Sequence, residues 1–261
     1  MEKTESQHMA MPRPRGREKS NCLKELRYFE LTGCVGPMET STSYGQETLQ
    51  FYRKLFSNRL AILIKAIQQN PLPITVQVLL PTTDEPFYIL HTAGMSAAPM
   101  KNTWDYDQQF NPYAELCFLL PADWPFSNAG TIKIEEPAAW PLRLLMELAR
   151  FPHIHQTLME YGFAMPNSED FKPFAVETAL AAVLLIQLEG TMGEMTAADG
   201  TVVPFYLPLL LYREELDMYR QDGIDQLVEE ILRINGDSFL LRTNRPNVAL
   251  GYADKGGDNF A

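Results

Sequence analysis

The side chains best suited to chemistry in this sequence are few and poorly arranged for it. Four histidines are present: His8, His91, His153 and His155. Only His153-Ile154-His155 has a metal-like spacing, and two such imidazoles share a side on a strand. The pair follows Pro152 in a stretch that reads as helical, where positions i and i+2 point roughly 200° apart. Glu160 is the nearest acid, so an ordinary helix N-terminal turn is the expectation rather than a metal site. Carboxylates are densest at Glu214, Glu215 and Asp217. Paired acids can hydrolyse glycosides or hold a divalent cation, yet adjacent residues on one element diverge, and a solvated acidic face is the simpler reading. No Gly-rich phosphate loop with Lys-Ser/Thr, no Gly-x-Ser-x-Gly elbow and no His-Glu-x-x-His is present. His91, beside Thr92 in a strand pattern, reads as a structural hydrogen-bonding group. No catalytic residue, metal or cofactor is expected, and a metal-dependent hydrolase is the enzymatic alternative.

The elements around these residues show alternating hydrophobic periods. In a chain of 261 residues, 46% hydrophobic and 21% charged, there is enough apolar material for one substantial core. Leu49, Tyr52, Phe56, Leu60, Leu63 and Ile67 recur at spacings of three and four, which predicts a helix over Gln46–Gln69 ended by Asn70-Pro71. Ile74, Val76, Val78 and Leu80 alternate as a strand. Phe87–Thr92 and Ala114–Leu120 follow as two more, the last closed by Pro121. Trp140-Pro141 opens a helix that Pro152 should break. A shorter helix is expected over His153–Tyr161, with Gly162 as its cap. Ala179–Leu188 reads as a buried strand, and Val202–Leu211 as a strand whose Pro204 and Pro208 suit an edge or bulges. Asp222–Arg233 predicts a last helix and Ser238–Leu241 a final short strand. The sum is an α+β fold with a single mixed or antiparallel sheet packed with helices.

Residues 1–24 are polar and Pro-dotted and read as a disordered leader, 25–250 as one domain, and 251–261 as a flexible tail. Thr32–Gly45 reads as a loop. Cys22, Cys34 and Cys117 fit neither a disulfide framework nor a paired metal motif, so free thiols are expected, with Cys117 packed as a small hydrophobe. No stretch reaches the ~20 apolar residues of a membrane span, and the N-terminus has no apolar signal core, which predicts a cytoplasmic protein away from membranes. The net charge of −11 is uneven: residues 1–27 contribute +3, leaving −14 elsewhere. Such a body repels nucleic acid and attracts a basic partner.

The stretches Pro81–Met100 (PTTDEPFYILHTAGMSAAPM), Ala114–Trp124 (AELCFLLPADW), Trp140–Pro152 (WPLRLLMELARFP), Pro208–Asp217 (PLLLYREELD) and Gly223–Leu232 occur in an order that resembles the suppressor-of-fused domain family. The likeness runs from about Phe29 to Arg245 and is closest to short bacterial members that consist of this domain alone. It implies stoichiometric protein binding, since bacterial members often serve as immunity proteins against toxins and animal relatives sequester a transcription factor. Many bacterial relatives follow the glycine at Gly162 with histidine; this chain has Phe163.

From Phe205 to Leu240 there are eight acidic residues against three basic ones. A basic toxin domain, such as a nuclease, would be drawn to that face, with buried aromatics setting affinity. The expected partner-binding residues are Trp104, Tyr106 and Phe110, in a polar loop, and Glu214, Glu215, Asp217, Asp225, Glu229 and Glu230. An intracellular regulator or scaffold that sequesters another protein is the alternative.

Overall fold

A computed structural model describes residues 43–66, 70–101, 110–128, 130–236 and 238–252. Helix α1, Ser43–Leu55, begins inside the expected loop, and the following strand β1 is Ala61–Lys65. The long helix read over Gln46–Gln69 is therefore a helix and a strand. Ser57, Asn58 and Arg59 turn the chain, and Ile62 and Ile64 pair with Val78 and Val76 of β2, Thr75–Leu79. Branched residues at alternate positions fit a pleated ladder better than a helix. β3, Phe87–Ala93, and β4, Glu115–Pro121, complete an antiparallel meander as predicted.

Helix α2, Trp140–His155, starts at Trp140-Pro141 as read but runs through Pro152. Pro152 sits one turn from the end, so its ring costs a single ladder bond. Gln156, at φ 49°, closes the helix, and Thr157 donates to the Pro152 carbonyl at 3.1 Å. No helix forms over His153–Tyr161; the last turn of α2 ends there instead, and Gly162 lies in a turn at φ 81°. β5, Ala164–Pro166, β6, Ala182–Gln187, β7, Glu194–Thr196, and β8, Val202–Leu211, build the other half of the sheet. Two helices, α3, Arg213–Asp222, and α4, Ile224–Asn235, and the short α5, Val248–Tyr252, end the described chain.

The sheet has eight strands in the order β1-β2-β3-β4-β8-β6-β5, with β7 also on β8. The expected edge strand, β8, is therefore interior. Its parallel ladder with β4 covers only Phe205 and Tyr206, and Pro204 and Pro208 flank that ladder. Phe205 N–H is turned the other way, to the Gly193 carbonyl. By the two-residue period the prolines then face β4 where no N–H is called for. Residues 238–241 form no strand, but Leu241 N–H donates to Leu119 O at 2.8 Å, filling the gap where β8 leaves β4.

Both faces of the sheet are covered, which is why β6 and β8 read as nearly unbroken apolar runs. Val76, Val78, Leu90, Leu116 and Phe118 pack with Leu142, Leu145 and Ala149 of α2. On the opposite face Leu79, Ile89 and Phe205 meet Tyr52 and Phe56 of α1. There also Ala182, Leu184, Leu207 and Leu209 meet Leu216 and Met218 of α3 and Leu227 and Ile231 of α4.

Between β3 and β4 a buried carboxylate organises the chain. Glu115 accepts from Thr92 Oγ1 at 2.6 Å, Ser96 Oγ at 2.6 Å, and the backbone N–H groups of Gly94 (2.9 Å), Ser96 (3.0 Å) and Met95 (3.3 Å). Aiming three successive N–H groups at one anion needs Gly94 at φ 128°, and a Cβ there would lie 2.3 Å from Pro73 O. Gly94→Ala should lower unfolding stability by about 2–4 kcal/mol in urea titration, since strain and clash add.

Candidate protein-binding surface

Each residue with chemical potential has a structural occupation. His153 and His155 share the last turn of α2; His153 Nε2 lies 2.9 Å from Met95 O, and His155 packs on the Phe151 ring at 4.4 Å. No group of three or more histidine, cysteine or acidic side chains among the described residues could hold a metal ion. His91 is fully buried, and burial pushes its imidazole down to about 3, so it stays neutral. A neutral ring has one N–H. Its Nε2 lies 2.8 Å from Gln77 Oε1 and its Nδ1 3.2 Å from Thr92 O, two acceptors between which the ring's single proton is placed. Tyr52 of α1 stacks on the ring at 3.7 Å. Cys117, opposite His91 on β4, is buried as expected, and burial pushes its thiol up to about 12. Cys22 and Cys34 lie outside the described residues. An open depression of about 560 Å³ is lined by Ser127, Asn128, Thr131, Lys133, Glu135 and Glu136, without a nucleophile and base brought together.

The acidic residues divide between interior and surface. Glu215, expected on the binding face, is fully buried. Its two oxygens meet Arg245 Nη1 and Nη2, each at 2.5 Å, and accept the N–H groups of Tyr212 and Val248, each at 3.0 Å. Arg245 also donates to Leu210 O at 2.9 Å and Pro246 O at 3.1 Å. Glu215 is thus a clamp between the end of β8, the start of α3 and the C-terminal segment, with no oxygen left for a partner. Glu214, one residue earlier, points outward and takes a 2.9 Å bond from Asn247.

Asp217 and Glu230 are half-buried and paired within their helices, to Arg220 at 3.1 Å and Arg233 at 2.6 Å. Asp225 and Glu229 are exposed one turn apart on α4, with no ion-pair partner among the described residues. Their charges stand unneutralised on a rigid helix packed against α3. Phe110 is half-buried, and Trp104 and Tyr106 lie outside the described residues.

Sequence pattern missed one aromatic. Tyr161 is 49% exposed, and its phenol is pushed up first by burial, then by the charge of Asp225 and by Tyr219. The adjoining turn is fixed by the Tyr219 hydroxyl, which donates to Gly162 O at 2.6 Å. An exposed tyrosine beside a carboxylate without an ion-pair partner, with a second such carboxylate one turn away, is the composition of an interface anchor and its charged rim. Its only sequence signal was an aromatic just before Gly162, which reads equally as helix interior. Phe163, beside it, is partly buried against the α2 core and lies 6.0 Å from the Phe151 ring.

Comparison with known proteins gives one family and several structures. The family described as Suppressor of fused protein matches residues 69–246. No curated protein matches the chain. The crystal structure of a suppressor of fused homologue from Neisseria gonorrhoeae is similar at TM-score 0.54 and 14% identity, covering 78% of this chain and 96% of that one. Drosophila Suppressor of Fused is similar at TM-score 0.61 and 14% identity over 87% of this chain; the likeness spans 54% of the fly chain. A chain in the Sufu–Fu complex crystal structure is similar at TM-score 0.58 and 15% identity, covering 83% of this chain and 96% of that one. At these identities the likeness speaks for the fold.

Two outcomes follow from the charges inside. Arg245→Leu, which strands Glu215, should cost about 3–5 kcal/mol in chemical denaturation, whereas Glu214→Gln should stay within about 0.5 kcal/mol. Burial on α2 also pushes the Glu147 carboxyl up to about 7 from 4.5, with Arg143 and Arg150 pulling the other way. The folded state then holds a proton that the unfolded chain has lost, so this group's contribution falls as pH rises from about 4.5 through 7, by no more than about 3 kcal/mol. Glu147→Gln removes that fall, and its stability relative to wild type should rise across the same window.

Proposed function

This chain belongs to the suppressor of fused family, and on that premise we propose that it is a non-catalytic protein-binding domain: an immunity protein that neutralises a basic toxin by stoichiometric binding. The observation that carries the reading is the outer face of α4. There Asp225, beside exposed Tyr161, and Glu229, one turn further along the helix, stand without an ion-pair partner among the described residues, on a surface held in place by the Glu215–Arg245 clamp. Complementary charge speeds encounter between an acidic inhibitor and a basic cleft, and a central aromatic slows departure. Glu214, Asp217 and Glu230 would form the flank of the same face. Trp104, Tyr106 and Phe110 remain part of the proposed contact set, and Glu215 acts in it only by holding α3.

The resident partner would be found in the cytoplasm, and among the described residues no helix is long and apolar enough to cross a membrane. A second reading, a regulator that sequesters another protein of the same cell, is favoured by the likeness to a chain solved in a Sufu–Fu complex.

The decisive experiment is co-expression with the product of a toxin gene encoded beside this one. Immunity predicts survival and a complex of fixed stoichiometry. Abundant folded protein in cells that still die would refute it. In the complex, Asp225→Lys with Glu229→Lys should slow association by about tenfold or more and flatten its salt dependence, leaving the circular dichroism spectrum unchanged. Tyr161→Ala should act mainly on dissociation, by about tenfold.

A further inference from the structure

The sheet ends in β5 and β1, and the two edges are built differently. Phe163 O and Asn167 N–H are spent on the β6 side, so Ala164 and Pro166 face outward on β5. Three residues with a proline make a blunt edge. At β1, Leu60 O and Ala66 N–H bond toward β2, and the register pairs Ile62 with Val78 and Ile64 with Val76. The even-numbered residues therefore spend their backbone groups on β2, and Ala61, Leu63 and Lys65 turn theirs outward. No hydrogen bond to those outward groups forms among the described residues. β1 contains no proline or glycine, and Lys65, at its end, is its one charge. Leu60 beside it is 75% exposed, and Ile62 is partly buried. A five-residue edge whose first four residues are apolar, with a lysine at its end and no proline, is a template for another strand.

We propose that β1 pairs antiparallel with β1 of a second copy of this chain, across a twofold axis through Leu63. In that register Leu63 faces its symmetry mate and Ala61 faces Lys65, so all three outward residues of each copy make hydrogen-bonded pairs. Ile62 falls opposite Ile64, and exposed Leu60 covers Ala66. The strand selects this register itself. Centring on Lys65 sets two lysines against each other, and centring on Ala61 runs half the strand past the turn at Arg59. The Leu63 side chain stays under α1 with Leu49 and Ala93, so pairing leaves the core untouched. The α3–α4 face on which the proposed function rests lies with β5, β6 and β8, on which α3 packs, and not with β1, so the two readings stand or fall separately. A ladder this short makes a weak, concentration-dependent dimer, not an obligate one.

Sedimentation velocity of the whole chain at up to about 200 μM suits so weak an interface. Wild type should show a reversible dimer. Ala61→Lys, which sets a lysine opposite Lys65 on both sides of the axis, should weaken it several-fold. Ala61→Glu, which creates two ion pairs there, should tighten it several-fold. Ala61 is only partly buried, and unchanged circular dichroism confirms that both variants fold. A monomer at every concentration, or a dimer indifferent to both substitutions, overturns the proposal. A monomer whose Ala61, Leu63 and Lys65 amides exchange slowly also overturns it, because another segment of the same chain would then cover the edge.

Discussion

Two charges withdrawn from water, Glu215 and Arg245, hold the C-terminal part of the described fold together. Each is nearly inaccessible, and the price of desolvation is met because both Glu215 oxygens and both terminal guanidinium nitrogens of Arg245 find partners. A pair of this kind adds little net stability over a well-packed apolar substitute, but it tolerates few alternative geometries. It fixes where β8 stops, where α3 starts and where residues 241–248 cross. The direction of α3 sets that of α4, and with it the placement of Asp225 and Glu229. The Tyr212 hydroxyl, which donates to Arg245 O at 2.5 Å, ties the same junction from the other side.

The sheet imposes the second constraint. With α2 on one face and α1, α3 and α4 on the other, inward positions leave room for few polar groups, and two of those present are answered internally: Glu115 by a loop of amides and hydroxyls, His91 by Thr92 and Gln77. Such groups resemble catalytic ones by type and even by proximity, as with His91 opposite Cys117. Burial makes one ring neutral and the thiol hard to ionise, and no opening reaches either. Residue identity alone does not distinguish a buried hydrogen-bonding group from a working one.

Much of the architecture was legible in the pattern of residues, because local physics decided it. The alternation through Ile74–Leu80 becomes β2, the proline of Trp140-Pro141 opens α2, and the apolar run at Ala179–Leu188, which has no period to decide it, contains the buried strand β6. The failures have physical reasons. Leu60 and Leu63 keep helical spacing by coincidence while Ile62 and Ile64 supply strand pairs. Pro152 is one turn too late to stop α2. Pro204 and Pro208 sit in an interior strand because its neighbour on that side departs after two residues. At the surface, Glu214 and Glu215 are identical neighbours with opposite fates, decided by an arginine 30 positions away. The family likeness was readable from ordered motifs. Tyr161 was not, since its exposure depends on how α2 ends.

The two-residue seam between β4 and β8 bears on how the chain acquires its shape. β1 to β4 form by successive hairpin returns, whereas the seam joins residues about 90 positions apart, Glu115 to Phe205. Loop-closure entropy favours the near returns, so the meander is the natural first structure, with β5 to β8 and their helices docking afterwards on its exposed flank. Until that docking, β4 is a bare border; Leu241, arriving last to bond Leu119 O, seals the remainder of it. Synthesis from the N-terminus therefore presents an unfinished half-sheet until Leu241 has emerged, a window in which sister chains compete for the same border.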